Sequence, residues 1–200
     1  MFNEKKYIFG LGTGRCGTVS LTELFNIQNS SFFSHEMGSR PYLPWDMERV
    51  KIVNRLFELS NNKNKFVGDV AFFLLPYINE ILKYIPESKF VILQRDKKET
   101  ISSYMKKTEG RNHWVKHNGN IWQNDSWDVC YPKFYVDSKK EALAEYYDLY
   151  YKLCRKIPEE SCFWMNTEDL NNKEISLQML EWCGFDDPRY SAFKENRSKN

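Results

Sequence analysis

Short apolar runs alternate with amphipathic stretches along most of this chain, and this alternation constrains the fold more than any other feature. The run at 89–93, Lys-Phe-Val-Ile-Leu, indicates a buried strand, and the stretch at 98–107 has the pattern of a helix. Strands are predicted at 7–11, 31–34, 65–70, 89–93 and 161–165, and helices at 18–25, 46–59, 75–84, 98–107, 142–155 and 173–183. Strands that alternate with helices pair in parallel, so the predicted fold class is α/β, with a central parallel sheet flanked by helices in three layers.

The composition narrows the classes of function. With 200 residues, 42% apolar and 28% charged, the chain has the size and balance of one globular domain spanning 1–200. A net charge of +2 is too small to indicate binding to nucleic acid or to a membrane surface. The sequence shows no signal peptide and no membrane-spanning stretch, so we expect a cytoplasmic protein. Five cysteines without a C-x-x-C pair favour small buried side chains over disulfides or a zinc site.

A glycine-rich turn joins the first predicted strand to the first predicted helix. Glycines allow successive backbone N–H groups to point inward, and the N-terminus of a helix adds partial positive charge. The turn is therefore predicted to bind an anion. The candidate binding residues are Gly12, Thr13, Gly14, Arg15, Cys16, Gly17, Thr18 and Val19.

The common nucleotide-binding patterns fit this turn poorly. Gly12 and Gly17 have the spacing of the ATP- and GTP-binding loop, but Thr18 stands where that loop requires Lys. The apolar run at 89–93 also fails to end in an acidic residue that would hold magnesium. A dinucleotide site would place an Arg-Cys pair in its pyrophosphate turn, and a phosphatase-type Cys16 would need an Arg where the chain has Thr22.

The turn resembles the 5′-phosphosulfate loop of sulfotransferases, G-x-x-[RK]-S-G-T. These enzymes use the sulfuryl donor PAPS (3′-phosphoadenosine 5′-phosphosulfate). Residues 12–18 read Gly-Thr-Gly-Arg-Cys-Gly-Thr, with Cys16 in place of the usual Ser. The resemblance implies that Arg15 contacts the oxygen between phosphate and sulfate and stabilises the charge that develops there.

A second motif resembles the 3′-phosphate site of the same family, R-[DN]-P-x-x-x-x-x-S. Arg95 follows the strand at 89–93 and Ser103 lies eight residues later, while Lys97 replaces the usual Pro. An Arg offers a fork of donors to a phosphate, and Ser adds a hydroxyl. Two separate anion sites suit PAPS and its product 3′,5′-ADP. The resemblance extends to the E-D-L turn at 168–170, and it implies a P-loop-like fold, closer to the glycan and tyrosyl-protein type than to the cytosolic small-molecule type.

Sulfuryl transfer needs a base for the acceptor hydroxyl but no metal. Glu36, His35 and Asp69 follow or end other predicted strands, and the resemblance to glycan and tyrosyl-protein sulfotransferases favours Glu36. His35 is the alternative, since the ordinary pKa of histidine near ~6.5 suits proton transfer. Asp69 stands where relatives often pair an acidic with a basic residue. The basic residue is absent here, and Arg40 or Lys65 could replace it.

An aromatic segment at 111–135 has no regular period. It allows two interpretations, a covering segment whose aromatic residues join the core, or a lid that binds an acceptor sugar or phenol. Its rings belong to His113, Trp114, His117, Trp122, Trp127, Tyr131, Phe134 and Tyr135. The two histidines have helical spacing but no evident third ligand, so no metal site is predicted.

The sequence as a whole predicts sulfuryl transfer from PAPS to a hydroxyl acceptor, first a carbohydrate and second a tyrosyl or small phenolic group. The alternatives are a P-loop kinase-like enzyme and a non-catalytic 3′-phosphonucleotide-binding protein of the same fold. The oligomeric state stays open.

Overall fold

The computed structural model describes residues 4–36 and 43–193, and within them a parallel sheet has helices on both faces. The strands are β1 Lys6–Leu11, β2 Ser31–His35, β3 Phe66–Val70, β4 Lys89–Gln94 and β5 Cys162–Asn166. The α-helices are α1 Thr18–Asn26, α2 Arg49–Ser60, α3 Ile78–Tyr84, α4 Lys97–Lys107, α5 Lys139–Cys154 and α6 Lys173–Cys183. Every predicted strand and helix is present, and the predicted α/β class is confirmed.

The order of the strands creates a crevice at the centre of the sheet. The order is β2-β3-β1-β4-β5, and β1 pairs in parallel with β3 on one side and with β4 on the other. The chain leaves β1 toward β2 and β3 and later returns to β4, so the segments after β1 and β4 diverge between two neighbouring strands. Such a switch point is where ligands bind in open α/β sheets. Both predicted anion motifs lie there.

Each face of the sheet has its own apolar core. Alternate residues of β1 point to opposite faces, so Tyr7 and Phe9 pack with α2, α3 and α5 while Ile8 packs with α1 and α6. Because helices cover both faces, β1 is buried along its length from Tyr7 onward, as the continuous apolar run predicts. The result is the predicted three-layer arrangement.

Two of the shifts between predicted and observed helix boundaries have identifiable reasons. The helix predicted at 46–59 begins at Arg49, because the Tyr77 hydroxyl donates to the Pro44 carbonyl at 2.7 Å and accepts from the Glu48 N–H at 3.2 Å. These contacts hold the preceding segment outside the helix. The helix predicted at 75–84 is a 3₁₀ turn over Phe72–Tyr77 followed by α3, and that turn contains Pro76, which has no N–H to donate.

The cysteines behave as predicted. Cys16, Cys130, Cys154 and Cys183 are buried free thiols, and Cys162 is partly exposed. Among the helices of residues 4–36 and 43–193, none is long and apolar enough to cross a membrane.

Candidate functional site

The glycine-rich loop between β1 and α1 has its carbonyl groups held by the protein. The carbonyl oxygens of residues 13–16 all accept side-chain hydrogen bonds. Tyr104 and Tyr146 donate to the Thr13 carbonyl, and the Thr13 hydroxyl donates to the Gly14 carbonyl. Arg95 donates to the Arg15 carbonyl, and Thr167 donates to the Cys16 carbonyl. In a trans peptide the N–H points away from the carbonyl of the same unit. Fixing these carbonyls therefore directs the following N–H groups to the opposite side of the loop.

Several N–H groups of the loop have the arrangement of an anion cradle. Among the described residues, no protein acceptor contacts the N–H groups of Arg15, Gly17 or Thr18. Gly14, Arg15 and Gly17 have φ values of 84°, 60° and 88°, and a left-handed non-glycine residue such as Arg15 is strained by roughly 1–3 kcal/mol. Helix α1 also begins without a side-chain cap. These observations fit a bound phosphate or sulfate group at the N-terminus of α1.

Cys16 has a packing role in the loop. Its side chain is fully buried, and a Cβ atom added to Gly12 would lie 2.4 Å from its Sγ atom. Burial raises the pKa of the Cys16 thiol to about 11, so the reactive thiolate is scarce at neutral pH. This agrees with the expected structural role. Val19, the last candidate of the loop, is 48% exposed in the first turn of α1.

The second motif adjoins the loop. Arg95 follows β4, and its guanidinium donates to the Arg15 carbonyl at 3.1 Å and pairs with the Glu99 carboxylate at 3.0 Å. Asp96 caps α4 by accepting from the Glu99 N–H at 2.9 Å. Ser103 lies two turns into α4, where its hydroxyl accepts from Arg15 Nε at 3.2 Å. The structure thus brings Arg15, Arg95 and Ser103 together at the carboxyl ends of β1 and β4.

The candidate bases lie where β2 and β3 end side by side. His35 Nε2 lies 3.0 Å from Thr18 Oγ1, and burial lowers the pKa of this imidazole. Glu36 follows β2 directly with φ 49°, and its N–H donates to the Val70 carbonyl at 3.0 Å. A left-handed glutamate is unusual, and such strain clusters at functional sites.

Three features set the protonation of Glu36. Burial and, to a smaller extent, the charge of the nearby Asp69 raise the pKa of its carboxyl, Arg15 lowers it, and together they bring this pKa to about 7. Asp69 is fully buried on β3, in register with Ser34 of β2. The structure therefore brings Glu36 and Asp69 into the electrostatic neighbourhood of Arg15 in the glycine-rich loop. A carboxyl with this pKa can exchange a proton near neutral pH.

Lys65 was expected as a possible charge partner of Asp69, and the structure excludes it. Lys65 precedes β3 at the opposite edge of the sheet from the site, and its Nζ lies 3.8 Å from Asp186. The three intervening residues of an extended strand separate it from Asp69 by more than ~10 Å. The other candidate partner, Arg40, lies outside the described residues.

The aromatic segment packs beside the site. Trp114 and Tyr131 are buried, and the Tyr131 ring stacks on Phe72 at 4.4 Å between centroids. The Tyr131 hydroxyl shares a hydrogen bond with that of Tyr104, which in turn donates to the Thr13 carbonyl. Trp114 and Tyr131 therefore belong to the core, as one of the two interpretations expected, whereas Tyr135 is 88% exposed. The role in acceptor binding stays a prediction.

The histidines of this segment do not form one site, because the segment is not helical there. His117 Nε2 contacts the Asn112 carbonyl at 2.7 Å. His113 instead pairs with Asp128 at 2.8 Å, and Asp125 lies 3.7 Å away. The ligand atoms of His113 and the two aspartates lie within 4.8 Å of one another. Arg111 pairs with Asp125 at 3.4 Å and Lys133 lies 3.8 Å from Asp128, so basic residues of the chain already neutralise this cluster.

The contacts that the tyrosines of α5 make near the site were not predicted from the sequence. Their hydroxyls donate to backbone carbonyls near the carboxyl end of β4 and in the segments after β1, β3 and β4. The sequence pattern Tyr-Tyr-x-x-Tyr-Tyr at 146–151 was a usable signal, because residues four apart share one face of a helix. The pattern could have predicted the face, but not the backbone atoms that the hydroxyls contact.

Comparisons with known proteins match the fold and not the sequence. No family model and no curated protein sequence matches this chain. A sulfotransferase from Alicyclobacillus acidocaldarius superposes with a TM-score of 0.58 and 14% identity, over 96% of this chain and 87% of that one. The sulfotransferase domain from the curacin biosynthetic pathway superposes with a TM-score of 0.55 and 14% identity, over 91% of this chain and 75% of that one.

A mouse sulfotransferase complexed with PAP gives a TM-score of 0.54 and 11% identity, over 92% of this chain and 59% of that one. At these identities the likeness concerns the fold. The chain therefore has the α/β fold of solved sulfotransferases, with a glycine-rich loop and two arginines at the switch point of its sheet.

Proposed function

We propose that this chain is a sulfotransferase that moves a sulfuryl group from PAPS to a hydroxyl acceptor. The observation that carries the proposal is the contact between two anion motifs, Arg15 Nε to Ser103 Oγ at 3.2 Å and Arg95 to the Arg15 carbonyl at 3.1 Å. A nucleotide with both a 5′-phosphosulfate and a 3′-phosphate suits two adjoining anion sites. The shared fold with sulfotransferases, one of them complexed with PAP, supports the same donor.

The residues present fit this donor. The cradle of residues 12–19 offers the N–H groups of Arg15, Gly17 and Thr18 to the phosphosulfate. Arg95 and Ser103 offer a guanidinium and a hydroxyl to the 3′-phosphate. PAPS would supply the sulfuryl group and leave as 3′,5′-ADP.

The proposed mechanism assigns the proton to Glu36 and the developing charge to Arg15. Glu36 takes the proton of the acceptor hydroxyl while the hydroxyl oxygen bonds to sulfur. The bond from sulfur to the phosphate oxygen breaks, and Arg15 stabilises the electron pair that stays on that oxygen. The pKa of Glu36 near 7 makes its carboxylate a stronger base than an ordinary glutamate. His35, which contacts Thr18, is assigned to support the start of α1.

The acceptor is proposed to bind between Glu36 and the aromatic segment. Burial is the main cause that raises the pKa values of Tyr131 and Cys130, and the charge of Glu36 adds to both, so this segment borders Glu36. A carbohydrate is the preferred acceptor, because the segment combines partly buried aromatic rings such as Trp122 with asparagine side chains that can bond to sugar hydroxyls.

The experiment that tests the function separates donor binding from transfer. The melting temperature is measured with 3′,5′-ADP and with ATP–Mg, and labelled PAPS is then offered with panels of glycans and phenols. We expect 3′,5′-ADP to raise the melting temperature, ATP–Mg to leave it unchanged, and label to reach a hydroxyl acceptor. Glu36→Gln should keep the 3′,5′-ADP shift and lose transfer.

The opposite outcomes identify the alternatives. Stabilisation by ATP–Mg without stabilisation by 3′,5′-ADP would assign the chain to the kinase-like enzymes. Binding of 3′,5′-ADP with no transfer to any acceptor would favour a non-catalytic binding protein.

A further inference from the structure

Helix α5 carries four buried tyrosines on the side that faces the carboxyl ends of the strands. They form two adjacent pairs one turn apart, so Tyr146 and Tyr150 share one face of the helix, and Tyr147 and Tyr151 share the neighbouring face about 100° around the axis. Each hydroxyl donates to a backbone carbonyl: Tyr146 to Thr13 at 3.0 Å, Tyr147 to Arg95 at 2.7 Å, Tyr150 to Phe72 at 3.2 Å, and Tyr151 to Leu93 at 2.8 Å. One helix therefore contacts both halves of the proposed donor site.

Tyr147 contacts the half that contains Arg95. Besides donating to the Arg95 carbonyl, its hydroxyl accepts from Gln94 Nε2 at 3.3 Å, and Lys97 Nζ lies 5.8 Å from the centre of its ring. Lys97 also pairs with Asp148 of α5 at 2.7 Å. The turn from β4 into α4 is thus attached to α5 at three positions, and the direction in which the Arg95 side chain leaves the backbone depends on them.

Tyr146 contacts the other half. Its hydroxyl donates to the Thr13 carbonyl within the glycine-rich loop, and the neighbouring Tyr150 hydroxyl accepts from the Gly12 N–H at 2.9 Å. These contacts fix the start of the loop, and among the described residues the N–H groups of Arg15, Gly17 and Thr18 have no protein acceptor. Tyr146 and Tyr147 are adjacent in sequence but bind different halves of the site.

We propose that Tyr147 is a positioning residue for the 3′-phosphate end of the donor site, and Tyr146 for the phosphosulfate end. The inference rests on the proposed function. Tyr147 acts through the backbone of Arg95, and its hydroxyl need not touch the nucleotide. Loss of this hydroxyl releases the Arg95 peptide and leaves the loop after β1 in place, so ligands that differ only at the 3′ position should respond differently.

The test compares Tyr147→Phe and Tyr146→Phe with two ligands, 3′,5′-ADP and adenosine 5′-phosphosulfate, by titration calorimetry. Tyr77→Phe is the matched control, since Tyr77 is also buried and donates to a backbone carbonyl, that of Pro44, away from the donor site. Tyr147→Phe should weaken 3′,5′-ADP about 3- to 10-fold and change adenosine 5′-phosphosulfate by less than about twofold, as one lost hydrogen bond implies. Tyr146→Phe should weaken both ligands by similar factors, and Tyr77→Phe should lower only the melting temperature.

Enzyme kinetics give a second readout. In Tyr147→Phe the KM for PAPS should rise while kcat at saturating PAPS is kept, because the reacting groups are not displaced. If that variant folds poorly, Gln94→Met is the second variant, since it removes the group that donates to the Tyr147 hydroxyl. It should also weaken 3′,5′-ADP more than adenosine 5′-phosphosulfate, but by a smaller factor.

Equal losses for both ligands in Tyr147→Phe, or no loss for either, would overturn the positioning role. A wild-type protein that binds neither ligand would instead refute the proposed function itself. The two failures are therefore distinguishable in one set of titrations.

Discussion

Arg15 Nε donates a hydrogen bond to the Ser103 hydroxyl at 3.2 Å, although the two residues come from separate sequence motifs 88 positions apart. The contact exists because β1 and β4 are neighbours in the sheet, so the loop after β1 lies against the helix after β4. The Arg95 guanidinium adds a second connection by donating to the Arg15 carbonyl. The two proposed anion sites are therefore in contact, and a change in one should affect the other to a smaller extent.

Arg95→Ala should weaken 3′,5′-ADP about 10- to 100-fold, the loss expected for charge-assisted hydrogen bonds to phosphate. Adenosine 5′-phosphosulfate, which lacks the 3′-phosphate, should weaken only a few-fold, through the lost contact to the Arg15 carbonyl. Titration calorimetry with both ligands measures the difference. Arg155→Ala, an exposed arginine at the end of α5, is the control. Equal losses for both ligands would remove Arg95 from the 3′-phosphate site.

Glu99→Gln should strengthen 3′,5′-ADP binding. The Glu99 carboxylate pairs with Arg95 at 3.0 Å, so it competes with a phosphate for the guanidinium and repels the phosphate charge. We expect a gain of about 2- to 5-fold at low salt that shrinks as ionic strength rises, because the pair is largely exposed. Glu87→Gln, at the other end of β4, should change nothing. Unchanged or weaker binding in Glu99→Gln would contradict this account.

The transfer rate should rise with pH through about 7, because Glu36 must be deprotonated to act as base and burial raises its pKa to about 7. Asp69→Asn should move this rise to lower pH, since the Asp69 charge contributes to the raised pKa of Glu36. The measurement is kcat/KM for labelled PAPS from pH 5 to 9. A profile for Asp69→Asn that overlies the wild-type profile would exclude this pair as the origin of the pH dependence.

The same carboxyl should make the fold less stable as pH rises. Below about pH 4.5 Glu36 is protonated in the folded and unfolded chain alike, and between about 4.5 and 7 only the unfolded chain releases the proton. The unfolded state is therefore favoured progressively across this window, and the full penalty is present above it. Glu36→Gln lacks the titration, so its melting temperature relative to wild type should increase from pH 4.5 to pH 8. Glu87→Gln should show no such trend.

The sequence predicted the elements of this fold because their signals are local. The apolar run at 89–93 and the glycines at 12, 14 and 17 define a strand and a turn without reference to any distant residue. The α/β order then places the carboxyl ends of the parallel strands at one edge of the sheet. The pattern therefore also predicted that Arg95 lies close to the glycine-rich loop.

Contacts that depend on side-chain direction could not be predicted in this way. The sequence gives no reason for Tyr147 to bond with Arg95 and Tyr146 with Thr13, since neighbouring helix positions differ by about 100° around the axis and the outcome depends on how α5 is rotated. Lys65 was a possible partner of Asp69 only as long as the direction of β3 was not considered. The strand begins directly after Lys65 and runs toward the site, so the two residues lie near its opposite ends. The raised pKa of Glu36 likewise depends on burial by residues distant in the sequence.

Gly14→Ala should be more damaging than the conformation of the glycine alone explains. Gly14 and Gly110 have similar left-handed φ values, 84° and 73°, so alanine at either position costs about 1 kcal/mol of backbone strain. A Cβ atom at Gly14 would also lie 2.1 Å from the Tyr104 hydroxyl, whereas one at Gly110 would meet nothing within 4 Å. The Tyr104 ring must then move, and its hydrogen bond to the Thr13 carbonyl is lost.

Denaturant unfolding should show a larger loss of stability for Gly14→Ala than for Gly110→Ala, and only Gly14→Ala should lose 3′,5′-ADP binding. Equal effects of the two variants would mean that Tyr104 yields without disturbing the loop.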